Sequence, residues 1–241
     1  NVPVVVHESD VTPGLANKLA QPFASHVFTV FNETLSHLPQ DKATCVGSVI
    51  REQLFEGNRE RGRLLCQFYN SKKVLLIMGG SLGSVVLNEA VRSNLPKLLE
   101  SYNIIHLCGK GNVDEALSHI NGYCQFDYVT TELSDLFYAS DYIVSRAGSN
   151  SIFEFLALHK PMLLIPLSAA KSRGDQILNA KLFEKQRLAH VLQEEELTNR
   201  SFMKAVENLV TNEENLIDAM TEAKSPITPS EMVKLITQYE K

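Results

Sequence analysis

A chain of 241 residues exceeds one typical domain and suits one large or two modest ones. Hydrophobic content of 44% with 21% charged residues is that of a globular protein with a sizeable core, and a formal net charge of -5 argues against a general nucleic-acid binder. No apolar stretch approaches the ~20 residues that span a bilayer, and no signal peptide is expected, because the sequence opens on the strand-like NVPVVVHE. The four cysteines (Cys45, Cys66, Cys108, Cys124) lack CxxC or zinc spacing, so free thiols in a reducing compartment are expected rather than disulfides. The seven histidines form no HExxH-like set; neither a metal site nor a cofactor is expected.

Residues 2–6 are an apolar run that predicts a strand, and a sequence opening inside a strand reads as a fragment. His7-Glu8-Ser9-Asp10 follows, Pro13-Gly14 marks a turn, residues 15–24 predict a short helix and residues 25–31 a second strand. Residues 44–51 give another short strand and a turn. Residues 52–71, charged and weak in apolar periodicity, predict a connection plus a surface helix. KVLLIM at 73–78 is a buried strand that runs straight into Gly79-Gly80-Ser81-Leu82-Gly83-Ser84, after which residues 85–99 have helical period with Asn88, Glu89 and Arg92 on the polar side. Glycines there permit a tight turn and bring backbone N–H groups towards an anion at the helix N-terminus. The spacing is not the dinucleotide fingerprint, so a phosphate seat and a plain turn both stay open.

Residues 104–109 predict a strand in which His106 is a satisfied interior residue. A helix at 113–119, a strand at 126–130 and a helix at 133–140 follow. The apolar residues 142–144 then turn through Arg146-Ala147-Gly148-Ser149-Asn150-Ser151 into a helix carrying Ile152, Phe153, Leu156 and Leu158. Ser149, Asn150 or Ser151 is its N-cap, and Glu154, three residues after Ser151, completes a capping-box pattern. Lys160-Pro161 ends that helix, Met162 to Pro166 reads as a strand covered on both faces, and a polar loop leads to a helix near Asp175. A strand at 189–192, helical sequence from 197 to about 223 and a closing helix at 230–239 complete the chain. Strand–helix alternation predicts a doubly wound parallel sheet with polar residues at the carboxyl ends of its strands, where such sheets bind ligands. Whether Ser151 and Glu154 cap or bind, and whether SRGDQ is a site or a solvated turn, stays open on these residues alone.

Five blocks, HESDVTPGLANKLA, VGSVIRE, IMGGSLGSVVLNE, SRAGSNSIFEFLALHKPMLLIPL and SRGDQILNA, together resemble the MurG family of bacterial peptidoglycan glycosyltransferases (glycosyltransferase family 28), nearest its Bacillus-like members. The resemblance implies an α/β fold of the GT-B type, two Rossmann-like domains with the active site in the cleft between them. Family members begin with a segment bearing a GGTGGH-type loop that holds acceptor diphosphate and a histidine, and nothing here corresponds to it. The expected organisation is therefore the end of the acceptor domain (1–52), a linker and surface helix (53–71), a complete donor domain (72–224) and a closing helix that packs back (225–241).

The activity implied is inverting, metal-free transfer of N-acetylglucosamine from UDP-N-acetylglucosamine to the C4 hydroxyl of lipid I, undecaprenyl-pyrophosphoryl-MurNAc-pentapeptide. The product is lipid II of the cell wall, a step tied to cell shape and division. The implied location is peripheral, on the anionic cytoplasmic face of the membrane, with no nucleic-acid partner. A UDP-N-acetylglucosamine 2-epimerase, or a fragment that binds UDP-sugar without activity, are the alternatives.

Carried over by position, Glu154 would accept from the ribose hydroxyls, a task suited to a carboxylate. Arg146, Gly148 and Ser149 form the turn that admits the nucleotide. Ser81 would meet the donor diphosphate, with Gly79, Gly80 and Gly83 allowing close backbone approach; Leu82 departs from the family's Gln. Tyr128 and Val129 would hold the uracil, Val129 through its backbone. Asp175 and Gln176 would read the sugar hydroxyls, Asp175 standing where many relatives have Gln. Arg51 would face the donor phosphates. His7 and Glu8 would supply a base or orient the acceptor, and Asn17 belongs to the same acceptor-side block.

Overall fold

The computed structural model describes residues 2–80 and 82–239. Three short strands, β1 (Val5–Glu8), β2 (His26–Thr29) and β3 (Ala43–Cys45), form a parallel sheet in that order. Between the first two lie α1 (Leu15–Ala20) and a 3-10 turn, Gln21–Phe23. The expected doubly wound sheet follows after α2 (Arg59–Leu65): six strands, all parallel, in the order β6-β5-β4-β7-β8-β9. They are β4 (Lys73–Met78), β5 (Tyr102–Leu107), β6 (Tyr123–Phe126), β7 (Tyr142–Ser145), β8 (Met162–Leu164) and β9 (His190–Val191). The chain winds outward from β4 through β5 to β6, then returns to the other side of β4 and winds through β7 to β9. The reversal lies between β4 and β7, where Met78 pairs with Ser145; a crevice opens at such a switch point, beyond the strand ends.

Helices cover both faces: α3 (Val85–Ser101), α4 (Leu133–Ala139), α5 (Ser149–Ala157), α6 (Asp175–Lys185), α7 (Asn199–Thr211) and α8 (Glu213–Glu222). Alternate strand residues enter two separate apolar clusters. Leu76, Ile105, Ile143 and Leu164 face one, with Phe137, Phe155 and Phe183; Leu75, Ile77, Ile104, Val144 and Leu163 face the other, with Leu95 and Phe202. This two-sided burial is why the strands read as continuous apolar runs. α2 lies against α4 so closely that a Cβ on Gly62 would come within 2.2 Å of the Asp135 carbonyl. Arg61 donates to both Asp135 oxygens at 2.9 and 2.7 Å across that contact. The closing helix α9 (Pro229–Thr237) rests on the small sheet, Met232 joining Phe28 and Val46, while Ile50 N–H donates to Ile227 O at 3.0 Å.

Several local expectations are corrected. The strand placed at 126–130 is Tyr123–Phe126, fixed by the pairing of Ile104 with Tyr123, so Tyr128 and Val129 fall in the loop beyond it. The helix at 113–119 is only a 3-10 turn, Glu115–Leu117, begun by Asp114, whose carboxylate accepts from Ala116 N–H. The helical stretch at 197–223 divides at Asn212, which leaves helical geometry. The Ser151–Glu154 capping box does not form: α5 begins at Ser149 with Gly148 as its N-cap and no side-chain cap, so Glu154 is a mid-helix residue free to point elsewhere.

Asn88, expected on the polar side of α3, is buried, for a polar strand residue needs it. His106 is fully buried and hydrogen-bonded through Nδ1 to Tyr123 Oη at 2.7 Å and through Nε2 to Asn88 Oδ1 at 3.0 Å, while Asn88 Nδ2 donates to Cys108 O. The amide orientation makes Nε2 the protonated nitrogen, leaving Nδ1 to accept from the tyrosine. Burial, and next the charge of Arg92, push this imidazole down to about 3. It is therefore neutral in the folded state, whereas an unfolded histidine gains a proton near pH 6.5. Its contribution is complete above pH 6.5 and is lost as pH falls towards 3, at about 1.4 kcal/mol per pH unit. Urea unfolding at pH 6.5 and 4.5 should show His106→Gln losing less stability over that interval than the unsubstituted chain.

Candidate functional site

The carboxyl end of β4 enters a turn built of backbone packed on backbone. Gly80 and Gly83 have φ of +88° and +75°, and Gly83 N–H donates to Gly80 O at 3.0 Å. A Cβ on Gly83 would lie 2.0 Å from the Cys108 carbonyl oxygen, so glycine is required on two counts. Ser84 then caps α3, its side chain accepting from Leu87 N–H. The N-terminus of this 17-residue helix, the positive end of its dipole, faces a crevice of about 400 Å³ lined by Gly79, Gly80, Gly83, Ser84, Arg146, Lys171 and Gln176. Ser81 lies outside the described residues.

Arg146 leaves β7 beside this turn and is itself buried. Its guanidinium donates to Ile165 O at 3.0 Å, Pro166 O at 3.3 Å, Ser84 Oγ at 2.6 Å and the Glu194 carboxylate. It thereby joins the ends of β7 and β8 to the cap of α3, a fastening beyond the turn-forming part expected of it. Glu194, also buried, holds Lys171 Nζ at 2.8 Å. Burial opposes charge on Glu194, but hydrogen bonds from Lys171 and Arg146 outweigh it and hold its carboxyl below the ordinary value.

A second cavity of about 420 Å³ adjoins the first at Gln176 and is lined by Ser9 and Asp10 from the small sheet's side and by Gly148, Ser149, Ser151, Ser172 and Asp175 from the large one. Ser149 Oγ donates to Ser9 O across it. Asn179, fully buried on α6, donates to Asp10 Oδ1 and to Ala147 O, both at 3.1 Å. Burial raises the Asp10 carboxyl, the nearby Asp175 and Glu8 charges adding to it against Asn179 and Arg173. Gln176 Oε1 accepts from Leu167 N–H at 3.0 Å, which turns its –NH2 group away from that contact. Asp175 is engaged by Arg173 at 2.7 Å and by Thr12 at 3.5 Å.

The acceptor-side block is an anchored loop. Glu8 is buried and accepts from Asp10 N–H at 3.0 Å, Gly14 N–H at 2.8 Å and Asn17 Nδ2 at 2.7 Å, and Asn17 also donates to His7 O. Both Glu8 oxygens therefore already accept hydrogen bonds, and the His7 side chain is exposed. Glu154 and Arg51 meet as an ion pair at 3.0 Å, joining α5 to the segment after the small sheet. Burial raises the Glu154 carboxyl, and Arg51 opposes that rise. Tyr128 is exposed and Val129 half-buried against the core; neither lines the two cavities.

Lys171, Glu194, Asp10 and Asn179 were not singled out from the sequence. Asp10 and Asn179 stand inside recognised blocks, a usable signal; Glu194 opens an acidic run that reads as a solvated face.

Residues 74–236 match the glycosyltransferase family 28 C-terminal domain. The chain belongs to glycosyltransferase family 28. Among curated family 28 relatives, a protein of Geobacillus thermodenitrificans is 59% identical over 213 residues, 88% of this chain and 60% of its own length. One of Clostridium botulinum (strain Langeland) is 51% identical over 240 residues, 100% of this chain and 68% of its own. Both are named UDP-N-acetylglucosamine–N-acetylmuramyl-(pentapeptide) pyrophosphoryl-undecaprenol N-acetylglucosamine transferase. The chain thus spans about three-fifths of the first and two-thirds of the second. The crystal structure of Acinetobacter baumannii MurG has the same fold, with a TM-score of 0.74 at 24% identity, covering 99% of this chain and 67% of that one. Among the described residues no helix is long and apolar enough to cross a membrane.

Proposed function

We propose that the crevice between β4 and β7 seats the diphosphate of UDP-N-acetylglucosamine, and that the chain is the donor-binding part of an enzyme that transfers the sugar to the C4 hydroxyl of lipid I. The observation that carries this reading is the glycine turn and the N-terminus of α3 meeting Lys171 and Gln176 in one crevice at the switch point of the sheet. Backbone amides and a helix dipole suit an anion there without a metal. The names of the 59% and 51% identical relatives supply the substrate pair. Gln176, with its amide –NH2 turned from Leu167, is placed to donate to a sugar hydroxyl, while Asp175 would first have to leave Arg173 and Thr12. An undecaprenyl acceptor puts the working enzyme at the membrane surface, peripherally, on the cytoplasmic side where UDP-sugars are available.

Glu154 is the proposed ribose acceptor, and its ion pair with Arg51 opposes the rise that burial gives the carboxyl. Glu154→Ala should lower UDP affinity by about 1–3 kcal/mol, the loss of a charge-assisted hydrogen-bond set. Isothermal calorimetry with UDP tests this; equal affinity in a folded variant refutes the ribose assignment.

A further inference from the structure

Two cations line the crevice, Arg146 and Lys171, and their hydrogen-bonding positions differ. The Arg146 guanidinium is buried and divided among two β8-end carbonyls, the cap serine of α3 and Glu194. Lys171 stands in the loop between β8 and α6, with 54% of its side chain exposed, and gives one hydrogen bond, to Glu194 Oε1. An ammonium carries three donors, so two remain for a ligand. Arg51 and Arg173, also near the cleft, are absent from the crevice lining and pair with Glu154 and Asp175.

The charges sum in the same direction. Glu194 carries one negative charge against the two positive charges of Arg146 and Lys171, so the trio leaves the crevice one unit positive, beside the positive end of the α3 dipole. The loop that presents Lys171 is closed on itself: Lys171 N–H donates to Ser168 O at 3.0 Å, Ser172 Oγ donates to Ser168 O at 3.0 Å, and Gly174 N–H donates to Ser172 Oγ at 3.1 Å. Leu167 N–H is fixed by Gln176 at the start of α6. The ammonium is thus held on the crevice wall by a shaped loop and a buried carboxylate, and reaching a ligand does not require it to abandon Glu194.

We propose that Lys171 is a substrate-contacting residue of the donor site, whose ammonium binds the distal phosphate of a nucleoside diphosphate and neutralises the charge that builds on it as the sugar departs. This rests on the assignment of the crevice to a UDP-sugar. In that step the acceptor's C4 hydroxyl oxygen bonds to the anomeric carbon and its proton passes to solvent, while the bond from that carbon to the distal phosphate oxygen breaks; the electron pair stays on that oxygen, and UDP leaves with one more negative charge, which the ammonium meets without giving up a proton. A residue that acts on the distal phosphate distinguishes UDP from UMP, whereas one that only stabilises the loop does not.

The test is calorimetric titration of UDP, UMP and uridine into the unsubstituted chain, Lys171→Met and Lys171→Arg. We expect Lys171→Met to reduce the preference for UDP over UMP at least fivefold with uridine binding unchanged, and Lys171→Arg to restore most of it. A reduction below fivefold, or equal weakening of all three ligands, overturns the role of Lys171 while leaving the nucleotide seat in place. Failure of the unsubstituted chain to bind UDP overturns the seat itself and this proposal with it.

Discussion

Replacing Arg146 with methionine is expected to lower folding stability by about 3–5 kcal/mol, the cost of removing one partner of a buried charge pair. The guanidinium satisfies Ile165 O, Pro166 O, Ser84 Oγ and a Glu194 carboxylate that is itself buried. Methionine fills similar volume but leaves two carbonyls without their donor and Glu194 with Lys171 alone. Because the lost contacts connect the ends of β7 and β8 to the cap of α3, UDP binding should fall with stability. Urea unfolding gives the magnitude. A loss under about 1 kcal/mol, the range of an exposed pair, would show that the network does not hold the strand ends together.

Gly83→Ala is the second large effect. The residue has φ of +75°, where an added Cβ costs about 1–2 kcal/mol, and that Cβ would overlap the Cys108 carbonyl oxygen at 2.0 Å. Backbone cannot rotate aside as a side-chain tip can, so the β4–α3 turn must shift, adding about 1–3 kcal/mol of packing strain. Gly80→Ala is the matched control: φ is +88°, but nothing lies within 4 Å of its added Cβ, so only the conformational cost of about 1–2 kcal/mol applies. Thermal unfolding of the two variants should rank Gly83→Ala well below Gly80→Ala, with at least a tenfold loss of UDP affinity for Gly83→Ala. Equal stability would mean that the approach of the turn to Cys108 is not maintained in solution.

The parallel sheet was legible in the sequence because its strands are buried on both faces, and 73–78 in particular coincides with β4. The glycine turn was legible for a related reason: Gly80 and Gly83 adopt left-handed geometry that other residues avoid. Where the reading slipped, tertiary contacts had overridden local pattern. Glu154 sits three residues after Ser151 as a capping box requires, yet α5 starts at Ser149 with Gly148 as its N-cap, and Glu154 pairs with Arg51 from another segment. Asn88 falls on the polar side of a helical wheel, but His106 in the adjacent strand draws it into the interior. Spacing within an element cannot register a partner 18 residues away in another.

The site divides in the same manner. Gly80, Gly83, Arg146 and Gln176 share one crevice, and Gly148, Ser149, Asp175 and Gln176 share the cavity beside it. Glu194 could not be found from sequence, since its neighbours Glu195 and Glu196 suggest a solvated run; burial against Arg146 is what separates it from them. Lys171 lies in a polar loop with no motif of its own, and its use depends on the crevice that the glycine turn, Arg146 and Gln176 build around it. The Glu8 carboxylate illustrates the converse: a resemblance marks the position, and its three hydrogen bonds, from Asp10, Gly14 and Asn17 of α1, show how that position is held.

The most direct measurement is a crystal structure of the chain with UDP-N-acetylglucosamine bound. The diphosphate is expected between the N-terminus of α3 and the Lys171 ammonium, with the ribose hydroxyls at about 3 Å from the Glu154 carboxylate. Nucleotide bound away from the ends of β4 and β7, or lying in the crevice with Glu154 out of its reach and still on Arg51, would contradict it.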